Sequence, residues 1–309
     1  VMFSLIPNYH IFSWGTPFIA TMIGADYVLD GKFDVTSTIE AIRKNRVTWM
    51  SMVPTMLYAL LSHPSSDVLY GMKRPTGGSP IPSGLVKAAT AKGIELTSIY
   101  GFTDGLIAGI GGILEEDSNL DFEKRNILST LGMIPAPFSE FKVEKTLEGE
   151  IGEIYFRAPW LPSGYENNKE KTLETFTEDG WFKPGDAGKI SNGRVEIMDR
   201  TKDLIKSGAE FIPSALIESA ISDLPEVESV AVIGVPHEKW VERPIAIVKT
   251  KNNLNFDENK AREYLMKLVE SGKIQKWWLP DKFIQIDNIP LTGTGKIDKK
   301  VLKDRFGRN

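Results

Sequence analysis

At 309 residues the chain is long for one hydrophobic core and comfortable for two domains. Its 37 basic and 41 acidic side chains leave no field able to hold nucleic acid or an anionic membrane unaided. With no cysteine there is no disulfide framework, thiolate zinc site or cysteine nucleophile, and three histidines are all that remain for other metal sites. Redox chemistry therefore says nothing of the compartment, and a cytoplasmic location is the default expectation.

The most apolar early span, Ile11 to Leu29, is broken by Ser13, Pro17, Gly24 and Asp26, so it reads as buried structure rather than a membrane helix. No signal peptide is evident, and Val1 leads at once into Phe3 to Pro7, which reads like the middle of a domain, so a fragment is expected. Leu5 to His10 reads as a strand running into a turn, followed by an apolar helical segment that contains Trp14. On a helix, His10 and Trp14 would share a face and could line a pocket. The commoner alternative is a buried histidine and a core tryptophan. The pattern then predicts an amphipathic helix over Val35 to Asn45 with apolar Val35, Ile39 and Ile42, a strand over Val47 to Val53, and a helix over Thr55 to Ser62. That alternation is the rhythm of a doubly wound α/β sheet.

Gly77-Gly-Ser-Pro-Ile-Pro82 lets backbone approach a flat ligand, although ordinary turns share its composition. Ser83 can cap a helix over Gly84 to Lys92. A strand over Ile94 to Ile99 then delivers Tyr100-Gly-Phe-Thr-Asp104 at its carboxyl end, where open α/β sheets bind ligands. A ring, a glycine, a hydroxyl and a carboxylate there suit a base, a phosphate and a magnesium ion, and a capped turn is the equal alternative. From about residue 131 the pattern changes to short strands, Phe141 to Lys145, Gly152 to Arg157 and Arg194 to Met198. Asp186 closes a Gly-Pro-rich turn, placed to accept two ribose hydroxyls or to stabilise that turn. Asp199 to Gly208 reads as a charged connector. Beyond it come a helix over Pro213 to Leu224, strands over Val227 to Val235 and Ile245 to Lys251, a helix over Asp257 to Ser271, and a strand over Lys282 to Ile286. Gly293-Thr-Gly-Lys296 is not a Walker loop, since Ile297 follows the lysine, and Gly109 to Gly112 lacks the third glycine of a dinucleotide fingerprint.

Taken together, Pro7-Asn-Tyr-His10, Gly77-Gly-Ser-Pro80, Tyr100 to Asp104, Gly152-Glu-Ile-Tyr-Phe-Arg157, Trp181 to Asp186, Asp199 to Gly208 and Gly293 to Lys296 stand in the order found in the adenylate-forming superfamily. The chain resembles an acyl-CoA synthetase, and Trp14 with Lys276-Trp-Trp-Leu-Pro-Asp281 looks most like medium-to-long-chain fatty-acyl-CoA ligases. The resemblance implies an α/β fold: the C-terminal part of a large domain over 1–199, with a small β-rich subdomain from about 131, a hinge at 200–202, and a small mobile α+β lid over 203–309. It implies ATP, magnesium and CoA as bound species, a fatty acid as substrate, and no nucleic-acid partner, and it leaves homo-oligomerisation open.

Residue by residue, the resemblance places Gly77, Gly78, Ser79 and Pro80 along adenine, Tyr100 beside the base, Thr103 at the phosphate, and Asp186 and Arg200 on the ribose. Lys296 would bridge the substrate carboxylate and the α-phosphate, Lys202 would be the pivot, and the Ser207-Gly208-Ala209 loop would meet the thiol. Gly101, Lys206 and Gly208 complete the cofactor-contacting set, and His10 and Trp14 would line the acyl pocket. Three departures stand out. Asp104 replaces the family's metal-binding Glu, Ala209 replaces a glycine, and the Ser/Thr/Gly-rich triphosphate loop is not in this sequence, so a large domain without its first part is expected.

Overall fold

Short strands alternate with helices through the first hundred residues. In chain order these are β1 (Met2–Ser4), α1 (Ile11–Trp14), α2 (Thr16–Met22), β2 (Tyr27–Val28), α3 (Val35–Asn45), β3 (Trp49–Ser51), α4 (Pro54–Ser62), β4 (Lys73–Gly77), α5 (Ser83–Ala91) and β5 (Glu95–Phe102). These come from a computed structural model that describes residues 1–77, 81–144, 151–208, 210–251, 254–293 and 295–307. The strands pair in parallel in the order β2-β1-β3-β4-β5. Parallel pairing needs a crossover, and the amphipathic α3 supplies one. Asp34 caps it by accepting the Ser37 N–H at 2.9 Å, Ile39 and Ile42 face inward at 2% exposure, and left-handed Arg46 ends it.

Two expectations fail near the N-terminus. The strand is Met2–Ser4, and Leu5 to His10 is a loop. Pro7 has no N–H to give a ladder, so pairing stops before it. The Ile11 to Leu29 span is not buried throughout: α1 and α2 turn the small residues Ser13, Thr16 and Ala20 inward, while Phe18, Met22 and Ile23 are exposed.

At β5 the sheet changes to antiparallel pairing. The elements that follow are β6 (Leu106–Gly111), α6 (Phe122–Leu131), β7 (Met133–Pro135), β8 (Glu140–Glu144), β9 (Gly152–Arg157), α7 (Lys169–Thr175), β10 (Asp186–Ser191) and β11 (Arg194–Arg200). They extend one path, β5-β6-β7-β11-β10-β9-β8, so the strands beyond residue 131 continue the sheet rather than start another. The glycine at 101 is dictated locally: a Cβ there would lie 2.1 Å from the Leu106 carbonyl across the β5–β6 turn. A cluster of aromatic rings fills the core under this turn. Phe102 stacks on Phe182 at 4.9 Å and meets Phe156 edge-on at 5.5 Å, and Phe156 meets Phe141 at 5.0 Å.

The chain divides into two compact units, 1–81 with 86–197, and 82–85 with 198–309. The second contains β12 (Ile205–Ser207), β13 (Glu210–Ile212), α8 (Ser214–Ser222), β14 (Val227–His237), β15 (Val241–Thr250), α9 (Glu258–Glu270), β16 (Lys282–Gln285) and α10 (Lys299–Phe306). Its strand order is β13-β12-β15-β14, with β16 parallel to β15. The β14–β15 hairpin is apolar on both faces, and the period of two separates them. Val230, Val232, Ala246 and Val248 pack with Ile217, Ile221 and Leu265 of α8 and α9, whereas Ala231, Ile233, Ile245 and Ile247 pack with Ile289 and with Leu302 of α10. No helix among the described residues is long and apolar enough to cross a membrane.

Candidate functional site

In the first unit, the β5–β6 turn gathers the polar residues. The Tyr100 hydroxyl donates to Asp186 Oδ2, joining positions 86 residues apart in sequence. Asp186 opens β10 and is only 3% exposed, so it is a buried acceptor with a phenol already on it rather than an open carboxylate. The Tyr100 ring is held by Phe102 at 5.7 Å and Phe141 at 6.2 Å. Thr103 is exposed in the turn and Asp104 is half-buried.

Asp104 has a neighbour that the sequence reading did not single out. Tyr165 lies near enough to feel it: burial first, then the Asp104 carboxylate, pushes the phenol above its usual range. The loop carrying Tyr165 is tied to the same turn, since the Trp160 indole N–H donates to the Gly105 carbonyl at 2.8 Å. The only sequence signal was an aromatic pair in a Pro- and Gly-containing loop, which is too common to point anywhere. Among the described residues no group of three or more carboxylates and histidines could cage a metal, so Asp104 is a single ligand candidate.

Gly77 ends β4 opposite Ser98 of β5, one strand from the turn. Gly78, Ser79 and Pro80 lie outside the described residues. The alternative of a buried histidine and a core tryptophan at His10 and Trp14 is not what the structure shows. The helix starts at Ile11, so His10 is its cap, with Nδ1 accepting the Phe12 N–H at 3.3 Å and the ring stacked on Phe12 at 5.4 Å. Trp14 is 56% exposed and leans on Phe18 at 5.7 Å. The Trp14 N–H donates to the His10 carbonyl at 2.9 Å, so the two stand at the two ends of one helical turn, and α1 packs on β5 and β6. A polar cleft of about 450 Å³ elsewhere in this unit is lined by Asp117, Arg194 and Glu196. Its buried cation is already neutralised, Arg194 Nη2 lying 2.6 Å from Asp117 Oδ2, so the cleft offers little to an anion.

The second unit carries the remaining candidates. Arg200 is exposed at the end of β11, and its N–H donates to Asp199 Oδ1 at 2.9 Å. Lys202 is exposed in the turn that follows, and its carbonyl accepts Lys303 Nζ at 3.4 Å. Lys206 lies on β12 with its side chain outward and its N–H on Glu242 Oε2 at 2.9 Å. Gly208 has φ +67° and gives its N–H to the Trp240 carbonyl at 2.7 Å, while Ala209 lies outside the described residues. Lys296 closes a tight loop: the Thr292 N–H donates to its carbonyl at 2.7 Å, its own N–H reaches Thr292 Oγ1 at 3.2 Å, and Leu291 bridges Ile297.

Comparison with known proteins adds to this geometry. Residues 1–166 match the family model of AMP-binding enzymes, and residues 216–296 match that of the AMP-binding enzyme C-terminal domain. A long-chain-fatty-acid–CoA ligase of Thermus thermophilus is 33% identical over 99% of this chain and 58% of its own length. A feruloyl-CoA synthase of an Amycolatopsis species is 31% identical over 97% and 60%. Among solved structures, ATP-bound MatB from Rhodopseudomonas palustris superposes with a TM-score of 0.82 at 26% identity, covering 99% of this chain and 60% of that one. The o-succinylbenzoate CoA synthetase of Bacillus subtilis, in complex with its acyl-adenylate intermediate, gives 0.75 at 25% identity, covering 98% and 60%. The chain thus spans about three fifths of the length of the curated relatives it matches.

Proposed function

The chain belongs to the AMP-binding enzymes of the adenylate-forming superfamily, and we propose that the protein activates a fatty acid with ATP and passes it to CoA. In the first step a carboxylate oxygen attacks the α-phosphorus, forming the acyl-adenylate as the bond to pyrophosphate breaks. In the second the CoA sulfur attacks the acyl carbon, the thiol proton leaves, and AMP departs with the electron pair of the broken C–O bond.

The observation that carries this reading is the Tyr100–Asp186 pair beside Asp104 at the carboxyl end of β5. In this reading the Tyr100 ring would face the base, Asp186 would accept from ribose hydroxyls, and Asp104, in the turn that follows β5, would take a metal, at the strand end where nucleotides bind on open sheets. Asp186 has acceptor capacity beyond the Tyr100 proton, so ribose hydroxyls can share it. Asp104 fits a magnesium ion that arrives on ATP, because magnesium takes one or two carboxylates and draws its other ligands from phosphates and water. When bound, that ion would neutralise phosphate charge. Tyr165 would hold the Asp104 carboxylate in place, and Thr103 would donate to a phosphate oxygen. Lys296 would offset the charge that grows between the attacking carboxylate and the α-phosphate. Residues 200–202 would serve as the pivot of a lid movement between the two steps.

Carboxylate-dependent ATP–pyrophosphate exchange, run with octanoate, palmitate, ferulate and amino acids and followed by mass detection of CoA thioesters, tests the reading. Fatty acids giving both exchange and thioester support it. Exchange with ferulate alone favours an aryl-acid ligase, the second reading, whose support is the 31% identity to feruloyl-CoA synthase. AMP binding by calorimetry with no exchange for any acid would make the protein a nucleotide-binding module.

A further inference from the structure

Lys299 begins α10 three residues after Lys296, and it is the meeting point of three segments of the second unit. Its Nζ lies 2.8 Å from Glu218 Oε1 and 2.6 Å from Ser214 Oγ, and the Lys299 and Glu218 side chains are only 16% and 17% exposed. Glu218 Oε1 also accepts the Val232 N–H at 2.7 Å, which fixes α8 to β14. Asp199, buried at the end of β11, accepts both the N–H and the hydroxyl of Ser214. One turn along α10, Lys303 Nζ reaches Asp203 Oδ1 at 3.3 Å and the Lys202 carbonyl at 3.4 Å. The segments 199–203, 214–218 and 296–303 are therefore joined by the largely buried Lys299 ammonium, by the Ser214–Asp199 bonds that continue from it, and by Lys303.

An arrangement of this kind is a poor way to gain stability. Removing charges from water is costly, and apolar side chains of similar volume often hold a helix as well. What a hydrogen-bonded ion adds is register, because an apolar contact tolerates sliding and rotation that a directional network does not. Leu302 is the one fully buried side chain among the described residues of α10, and Phe306, one turn on, packs partly buried against the same cluster, so the helix is held by a short apolar stripe that says which face meets the core and adds no directional bond. The Lys296 loop leads directly into that helix, with the Asp298 N–H on the Pro290 carbonyl at 2.8 Å.

We propose that Lys299 is a positioning residue, which sets the Lys296 loop in a fixed register with residues 199–203 by anchoring α10 to Glu218, Ser214 and, through Ser214, Asp199. The consequence for adenylation rests on the function proposed above, but the placement of the loop does not. The electrostatics agree with the geometry. Burial by itself would lower Lys299, but Glu218 and then Asp199 outweigh it and hold the ammonium above its ordinary value, so it stays charged.

The test compares Lys299→Met with Lys299→Arg and with the double variant Lys299→Met/Glu218→Leu, which leaves neither member of the pair alone. Amide hydrogen exchange is read at Thr292, Lys296 and Asp298, with β14 and β15 as internal reference. In Lys299→Met the three loop amides should exchange on the order of tenfold faster while the hairpin is unchanged, and Lys299→Arg should restore them. Adenylation should fall by on the order of 10²-fold, with thioester formation from supplied acyl-adenylate and CoA nearly unchanged. Should the single methionine variant not fold, the double variant carries the same readings. Loop protection equal to that of the unaltered protein, or a loss shared equally by the loop and the hairpin in the double variant, overturns the proposal. An unaltered protein without carboxylate-dependent exchange would refute the proposed function, and the amide readings would still decide the role of Lys299.

Discussion

Tyr100 gives its phenolic proton to a carboxylate that is almost fully buried, so a ribose proposed to sit on Asp186 would have to share an acceptor that is already engaged. Lys296 is a different kind of candidate, its loop being closed by its own backbone and its ammonium carried on a long side chain. If that charge serves only the adenylation transition state, Lys296→Ala should slow carboxylate-dependent exchange by on the order of 10²-fold or more. Conversion of supplied acyl-adenylate to thioester should be spared, and a parallel fall in both half-reactions with an intact fold would remove the step-specific role. Trp14 is more than half exposed, so its truncation tests pocket lining with little interference from stability. Trp14→Ala should raise the fatty-acid concentration needed for half-maximal rate and leave that for ATP unchanged. A melting temperature several degrees lower, with both substrates affected alike, would assign the indole to packing instead.

Two helices of the first unit are begun by exposed carboxylates. Asp34 is held below the usual carboxylate range first by the Ser37 N–H, and Asp121 by the Lys124 N–H. Both folded values are depressed, so each contribution to stability is present above the ordinary aspartate value of 3.8 and is lost as pH falls through the folded value. Asn caps a helix nearly as well as Asp without titrating. The melting temperature of Asp34→Asn/Asp121→Asn should therefore fall less steeply than that of the unaltered protein between about pH 5 and pH 2. Identical slopes would show that these caps do not contribute to acid unfolding. The α3 helix was legible from apolar residues at helical spacing, and the structure adds an Asp cap and basic residues in the last turn that agree with it. The α10 helix and the β10 strand were not read. The first buries one apolar side chain fully among those described, and the second begins with the aspartate that closes a turn and carries a glycine.

Each unit has its own apolar core, and the sheet of the second is covered on both faces. Leu265, fully buried where α9 meets the β14–β15 hairpin, is a probe of that core. Leu265→Ala should cost about 2–5 kcal/mol. Hydrogen exchange should show faster opening across β12 to β16 with little change in β1 to β9. Equal acceleration in both units would mean that they unfold as a single cooperative body.

The order of motifs along the chain was enough to assign the α/β class and the superfamily, because glycines, turn residues and charged ends at set separations are local features that a sequence states directly. Parallel alternation was equally legible, since βαβ pairing follows from element order and the handedness of crossovers. The pairing of Tyr100 with Asp186 and of Tyr165 with Asp104, like the meeting of Lys299, Glu218 and Asp199, came only from the tertiary structure. Tyr100 and Asp186 stand 86 positions apart, Asp104 and Tyr165 61, and Lys299 and Glu218 81. Their partners are chosen by strand order and helix packing, which no local pattern encodes. The same reason explains Trp14: apolar spacing announces a helix, but which side of it meets the sheet is decided by whether small residues, here Ser13, Thr16 and Ala20, fit closest against the strands.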